Sequence, residues 1–78
     1  MITGFDVGTQ VKWNDENTLT TGVIRKVFYQ PETVEVDGQT FRVEVSDHSP
    51  TYLVQHHTGE LLILPHQAVF LKDMNPHT

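Results

Sequence analysis

Apolar and polar positions alternate along this chain in short runs, and nowhere do apolar residues recur at helical spacing over ten residues. The clearest run is YLVQHHTGELLIL, residues 52–64. Tyr52 and Val54 form one apolar arm and Leu61 to Leu64 the other, around a turn at His57-Thr58-Gly59 whose glycine supplies the positive φ of a three- to four-residue hairpin loop. Upstream, Val11 and Trp13 share one face and Gln10 and Lys12 the other, the period-two pattern of a half-buried first strand. Asn14-Asp15-Glu16-Asn17 predicts a four-residue polar loop. A second strand follows over about Thr20 to Tyr29. Ile24 and Val27 are spaced by three, so strict alternation cannot place both on one face, and a bulge is expected near Arg25-Lys26. Gly22 marks a corner where another backbone comes close.

Pro31 ends that strand because it has no N–H to give to a ladder. Asp37-Gly38 then reads as the centre of a two-residue hairpin, pairing Val36 with Gln39, Glu35 with Thr40, Val34 with Phe41 and Thr33 with Arg42. This register puts Val34, Val36, Phe41 and Val43 on one face, and gathers Thr33, Glu35 and Arg42 into a polar cluster on the other. Ser46, Asp47 and Ser49 cap a turn before Pro50, and Pro65 opens one helical turn ahead of a last short strand at Phe70-Leu71. The tail from Asp73 to Thr78 is expected to be disordered. Together these elements predict an all-β fold, a small SH3-like or Tudor-like barrel of five or six short strands with one helical turn before the last. An open sheet that closes by dimerising is the alternative architecture.

Composition bounds this picture. The 78 residues make one small domain, 1–78, with an ordered core of about 5–72, near the size at which a core only just suffices. Without cysteine there is no disulfide, thiolate nucleophile or Cys-based zinc site. No run nears the roughly 20 apolar residues of a membrane span, and Met1 to Trp13 lacks the features of a signal peptide, so a cytoplasmic location is expected. The net charge is −5, and the five bases, Lys12, Arg25, Lys26, Arg42 and Lys72, are scattered. That balance argues against nucleic acid, which calls for a basic stripe, and reads first as a solvated acidic surface. As an acidic decoy that mimics nucleic acid, the chain has too modest a charge.

Several segments also resemble one family. Gly8 with Val11-Lys12-Trp13, Thr21-Gly22-Val23, the stretch from Ser46 to Val54, Thr58-Gly59 and Gln67-Ala68-Val69 are similar to the hypervirulence-associated Tudor-like domain family of bacteria. Its members share a Gly-x-x-Val-x-Trp opening, a Thr-Gly-Val second strand, an acidic turn ending in Pro-x-Tyr, and a hairpin with Thr-Gly. The chain departs from that pattern at Ser49 and at Leu64-Pro65, where its central hairpin is greasier. The resemblance implies a small SH3-like barrel and a non-enzymatic role.

Candidate chemistry is sparse. Trp13, Tyr29 and Tyr52 are candidate walls of an aromatic cage for a cationic ligand, with Asp47 as the counter-charge, although Trp13 and Tyr52 read first as core or rim packing residues. His48, His56, His57, His66 and His77 show no metal-ligand spacing, and no metal or other cofactor is expected. Ser46-Asp47-His48-Ser49 holds the letters of a catalytic triad, yet contiguous turn residues cannot orient one another, and turn capping explains them. A barrel this small is also expected to lack an enclosing pocket of about 300 Å³. The expected function is therefore an interaction module, not an enzyme. It would bind a protein or peptide, or a second copy of itself as a homodimer, through an exposed edge around Gln39 to Val45 or through the aromatic surface. The alternative is a nucleic-acid-binding barrel using Lys12, Arg25, Lys26 and Arg42.

Overall fold

The computed structural model describes residues 4–71. Strands β1 (Gln10–Asp15) and β2 (Thr18–Phe28) pair antiparallel from Gln10↔Val23 to Asp15↔Thr18. The four-residue loop expected at Asn14–Asn17 is thus a two-residue turn: Glu16 (φ 49°) and Asn17 (φ 72°) both occupy the left-handed region. Such a turn matches the twist of the flanking strands. Asparagine tolerates that conformation and glutamate does not favour it, which is why the sequence reads as a loop.

The long β2 bends where expected. Its register against β5 (Thr51–His56) shifts between Ile24 and Lys26, leaving Arg25 as the extra residue of a bulge. The bulge resets the alternation, so Ile24 pairs with Val54 and Val27 with Tyr52 on the same face despite their spacing of three. β5 continues through a tight turn into β6 (Leu61–Pro65), where Gly59 has φ 99° and donates to the His56 carbonyl at 2.8 Å. A 3-10 turn (His66–Ala68) follows Pro65 and delivers β7 (Phe70–Leu71) to the free side of β1. The sheet order is β6-β5-β2-β1-β7, a meander whose last strand returns to its first.

Between β2 and β5 the chain makes a separate hairpin from β3 (Glu32–Val36) and β4 (Gln39–Val43). Its register is the expected one, from Val36↔Gln39 to Thr33↔Arg42, and Asp37 (φ 51°) and Gly38 (φ 80°) form the two-residue turn. The polar cluster differs: Arg42 reaches along its own strand to Glu44, Nε to Oε2 at 2.8 Å. The described residues hold seven strands, one or two more than expected, five in one sheet and two in this hairpin.

The core lies on one face of the five-stranded sheet. Val11, Trp13, Ile24, Tyr52, Val54 and Val69 form it, with Phe5, Val27, Leu62 and Leu64 packed against them. Full burial of a Val or Ile side chain contributes about 1.5–3 kcal/mol. Gly22 sits where the strands come closest, since a Cβ there would stand 2.6 Å from the Gln55 carbonyl and 2.9 Å from the Trp13 ring. Phe28 and Val43 are fully buried outside that cluster. Phe28 falls on the face opposite Val27 and Tyr52, so the sheet carries apolar residues on both faces. Architecture and topology are those of a small all-β, SH3-like barrel. No helix among the described residues is long and apolar enough to cross a membrane. The expected disordered tail, with Lys72 and His77, falls outside the described residues.

Candidate functional site

Each cage candidate has a definite place. Trp13 and Tyr52 are core residues, 3% and 0% exposed, so neither offers a ring face to a ligand. Tyr29 is exposed at the end of β2, and Asp47 is exposed in the turn before β5. The set does not form a cage, because strand alternation that turns Val11 and Ile24 inward turns Trp13 and Tyr52 inward with them. Tyr52 instead ties three segments together. Its hydroxyl accepts from the Phe5 N–H at 2.9 Å and shares a hydrogen bond with His66 Nδ1 at 2.7 Å. Burial pushes its phenol pKa up, only partly offset by the Phe5 bond, while Tyr29 and Asp6 push in the same direction as burial.

The four candidate nucleic-acid bases make no stripe. Lys12 is 9% exposed, Arg25 Nε donates to Gln55 Oε1 at 2.9 Å, Lys26 pairs with Glu32 at 4.0 Å, and Arg42 pairs with Glu44. In the Ser46–Ser49 turn, Ser46 Oγ accepts from the His48 N–H at 3.1 Å, and Ser49 Oγ accepts from Gln67 Nε2 at 2.8 Å. This is the capping geometry of a turn, not a nucleophile aimed by a base. His57 lies in the turn rather than the strand, so its ring comes within 4.0 Å of His56, but the described residues contain no group of three or more metal-ligating side chains.

The sheet's second apolar face carries the most developed surface feature. Leu53 and Ile63 pair across β5 and β6, on the face away from Tyr52 and Val54, and Leu61 shares their side of β6. The hairpin turns Val36 and Phe41 toward them. A cleft of about 460 Å³ separates the two, lined by Val36, Phe41, Leu53, Leu61 and Ile63, with Asp37 and Glu60 at its rim. Phe41 remains 40% exposed although it lines this cleft. A second, polar cleft of about 370 Å³ lies around Arg25, Gln55 and His57. Both are clefts open to solvent, not enclosing pockets. Their volume arises where the inserted hairpin stands off the sheet and where the bulged β2 meets β5.

The apolar cleft runs along the edge strand β6. Among the described residues β6 has β5 as its only neighbour. The His56 N–H donates to the Glu60 carbonyl at 2.8 Å, which sets the phase of the β5–β6 ladder. Alternation then makes Val54↔Leu62 and Tyr52↔Leu64 the hydrogen-bonded pairs, so Leu61 and Ile63 direct their N–H and C=O away from β5. Sequence reasoning placed the free edge at Gln39 to Val45. Among the described residues β4 does have β3 as its sole strand partner, but Val43 is fully buried and the Glu44 carbonyl accepts from Thr51 Oγ1 at 2.7 Å, so the C-terminal end of that stretch is engaged. The signal for the β6 edge was the unbroken run Leu61-Leu62-Ile63-Leu64, which has no polar face and so implies cover on both sides.

Residues 8–66 match the sequence model of the family described as "Hypervirulence associated proteins TUDOR domain". Neither the curated proteins nor the solved structures contain a match to the chain. The matched span takes in β1 to β6, including both the bulged β2 and the Gly59 turn. A Tudor-like domain is a small interaction module, and well over half of these 78 residues lie within the match: the chain belongs to the hypervirulence-associated Tudor domain family.

Proposed function

We propose that this protein is a non-enzymatic interaction module that binds an extended segment of a partner protein by adding it as a strand to β6. The observation that carries the proposal is the coincidence of an unpaired strand edge with an apolar cleft beside it. Leu61 and Ile63 supply outward N–H and C=O groups, and Val36, Phe41 and Leu53 supply a floor for alternate side chains. Main-chain pairing gives affinity in this mode, and the pockets for alternate side chains give specificity. At roughly 3.3 Å per residue, the five residues of β6 offer an edge of about 17 Å, enough for about five residues of partner.

Charge selects among extended segments. The cleft lining holds two carboxylates, Asp37 and Glu60, and no base, in a chain whose net charge is −5. The fitting partner alternates apolar side chains along one face and carries Lys or Arg beside them. Selection from a random peptide library tests this. Peptides retained by the wild type should show that pattern and be lost by Ile63→Asp, a change on the cleft side of β6 that leaves the core residues in place. Retained peptides without the pattern, or equal retention by a folded Ile63→Asp variant, would refute it. So would light scattering that shows a dimer whose cleft residues are occluded, because a second copy would then be the occupant.

A further inference from the structure

We propose that the polar cleft on the outer face of β1, β2 and β5 binds a phosphate group, a site separate from the peptide groove. Register alone assembles it. Gln10, Val23 and Gln55 are paired in a row across the three strands, and two positions back along β2 Thr21 stands level with His57, just past the end of β5. These residues with Arg25 line an opening of about 370 Å³.

Its chemistry is opposite to that of the rest of the molecule. The chain has ten carboxylates and five Lys and Arg, yet no carboxylate lines this cleft, and one guanidinium, two imidazoles, two carboxamides and a hydroxyl do. The bulge explains how the guanidinium comes to be there. As the extra residue in β2, Arg25 escapes strict alternation, and its Nε–H donates to Gln55 Oε1 at 2.9 Å. That bond occupies the acceptor end of the Gln55 amide and leaves its NH₂, together with the remaining guanidinium N–H groups, as donors. A planar fork of donors, with further neutral donors around it and no competing carboxylate, suits a tetrahedral oxyanion. The volume exceeds what a bare phosphate fills, and Val23 gives the floor an apolar patch, so the cleft has room for the organic group of a phosphate monoester.

Titration of the ¹⁵N-labelled protein with inorganic phosphate, with a phosphoserine peptide and with a sugar phosphate tests the site. The expected result is saturable shifts of the Gln10 and Gln55 side-chain amides and of Arg25 Nε–H. Arg25→Gln should weaken binding about tenfold or more while the unfolding temperature holds, since a charge-assisted bond is lost from an exposed side chain. Ile63→Asp, in the other cleft, should leave the affinity unchanged. Saturation by inorganic phosphate as tight as by either ester would assign the site to the free anion. Tighter binding of one ester would assign it to that phosphorylated class. Linear shifts spread over the surface, or an Arg25→Gln variant that binds as well as the wild type, would mean an adventitious ion only and overturn the proposal.

Discussion

Replacing Tyr52 by Phe removes a single oxygen from the centre of the structure, and its cost can be worked from the contacts of that oxygen. The hydroxyl accepts from the Phe5 N–H and hydrogen-bonds to His66 Nδ1, at 2.9 and 2.7 Å. One bond fastens the segment before β1 and the other the 3-10 turn before β7, so the phenol links both ends of the described chain to β5. The ring itself stays: Phe5 stacks on it at 6.0 Å between centroids and His66 meets it edge-on at 5.8 Å, contacts that the substituted phenyl ring would retain. What is lost is hydrogen bonding, and the partners left behind are an N–H and an imidazole nitrogen in a half-buried site. Stranding such groups costs about 1–3 kcal/mol. For a domain this size that is a fall of roughly 5–20 °C in Tm, read by circular dichroism. Amide exchange localises the effect: the Phe5 amide should lose protection in Tyr52→Phe while the amides of β2 and β5 keep theirs. An unchanged Tm with a still-protected Phe5 amide would refute the role assigned to this hydroxyl.

Other outcomes follow from the same contacts. Burial raises the Tyr52 pKa, so the folded value lies above the unfolded one near 10. The corresponding stability is present below the unfolded value and is lost as pH rises through the folded value, so alkaline unfolding should come at higher pH in Tyr52→Phe relative to its own neutral-pH stability. Gly22→Ala should destabilise by about 1–3 kcal/mol in denaturant titration, because the added methyl meets the Gln55 carbonyl and the Trp13 ring at 2.6 and 2.9 Å. Arg42→Ala should change stability by less than about 0.5 kcal/mol by the same assay, since its pair with Glu44 is solvent-exposed on both sides.

The sequence was most legible where a structural rule acts over a few residues. The Asp37-Gly38 turn and the facing valines set one register for β3 and β4, the spacing of Ile24 and Val27 demanded the bulge, and Gly59 marked its own turn. The Glu16-Asn17 turn was missed because glutamate seldom adopts a positive φ, and nothing local shows that pairing on both sides compels it to here. The site was harder to see for a different reason. Trp13 and Tyr52 look like a recognition surface from residue type alone, whereas the apolar faces they share with Val11 and Val54 already pointed to the core where both lie. The cleft depends on the β3–β4 hairpin standing apart from the barrel sheet, a long-range arrangement that no short stretch encodes. Even so, the two-sided apolar run at Leu61–Leu64 was a sign in the sequence that β6 has more than one face to cover.

The central claim is that β6 accepts a strand, and alternation along that strand gives it a distinctive signature. With a peptide selected from the random library bound, amide exchange should show Leu61 and Ile63 newly protected. Leu62, whose N–H already points to Val54 across the ladder, should be protected with or without peptide. That odd-even pattern is the predicted result. A bound peptide that leaves the Leu61 and Ile63 amides exchanging as freely as before would contradict strand addition and place recognition on another surface.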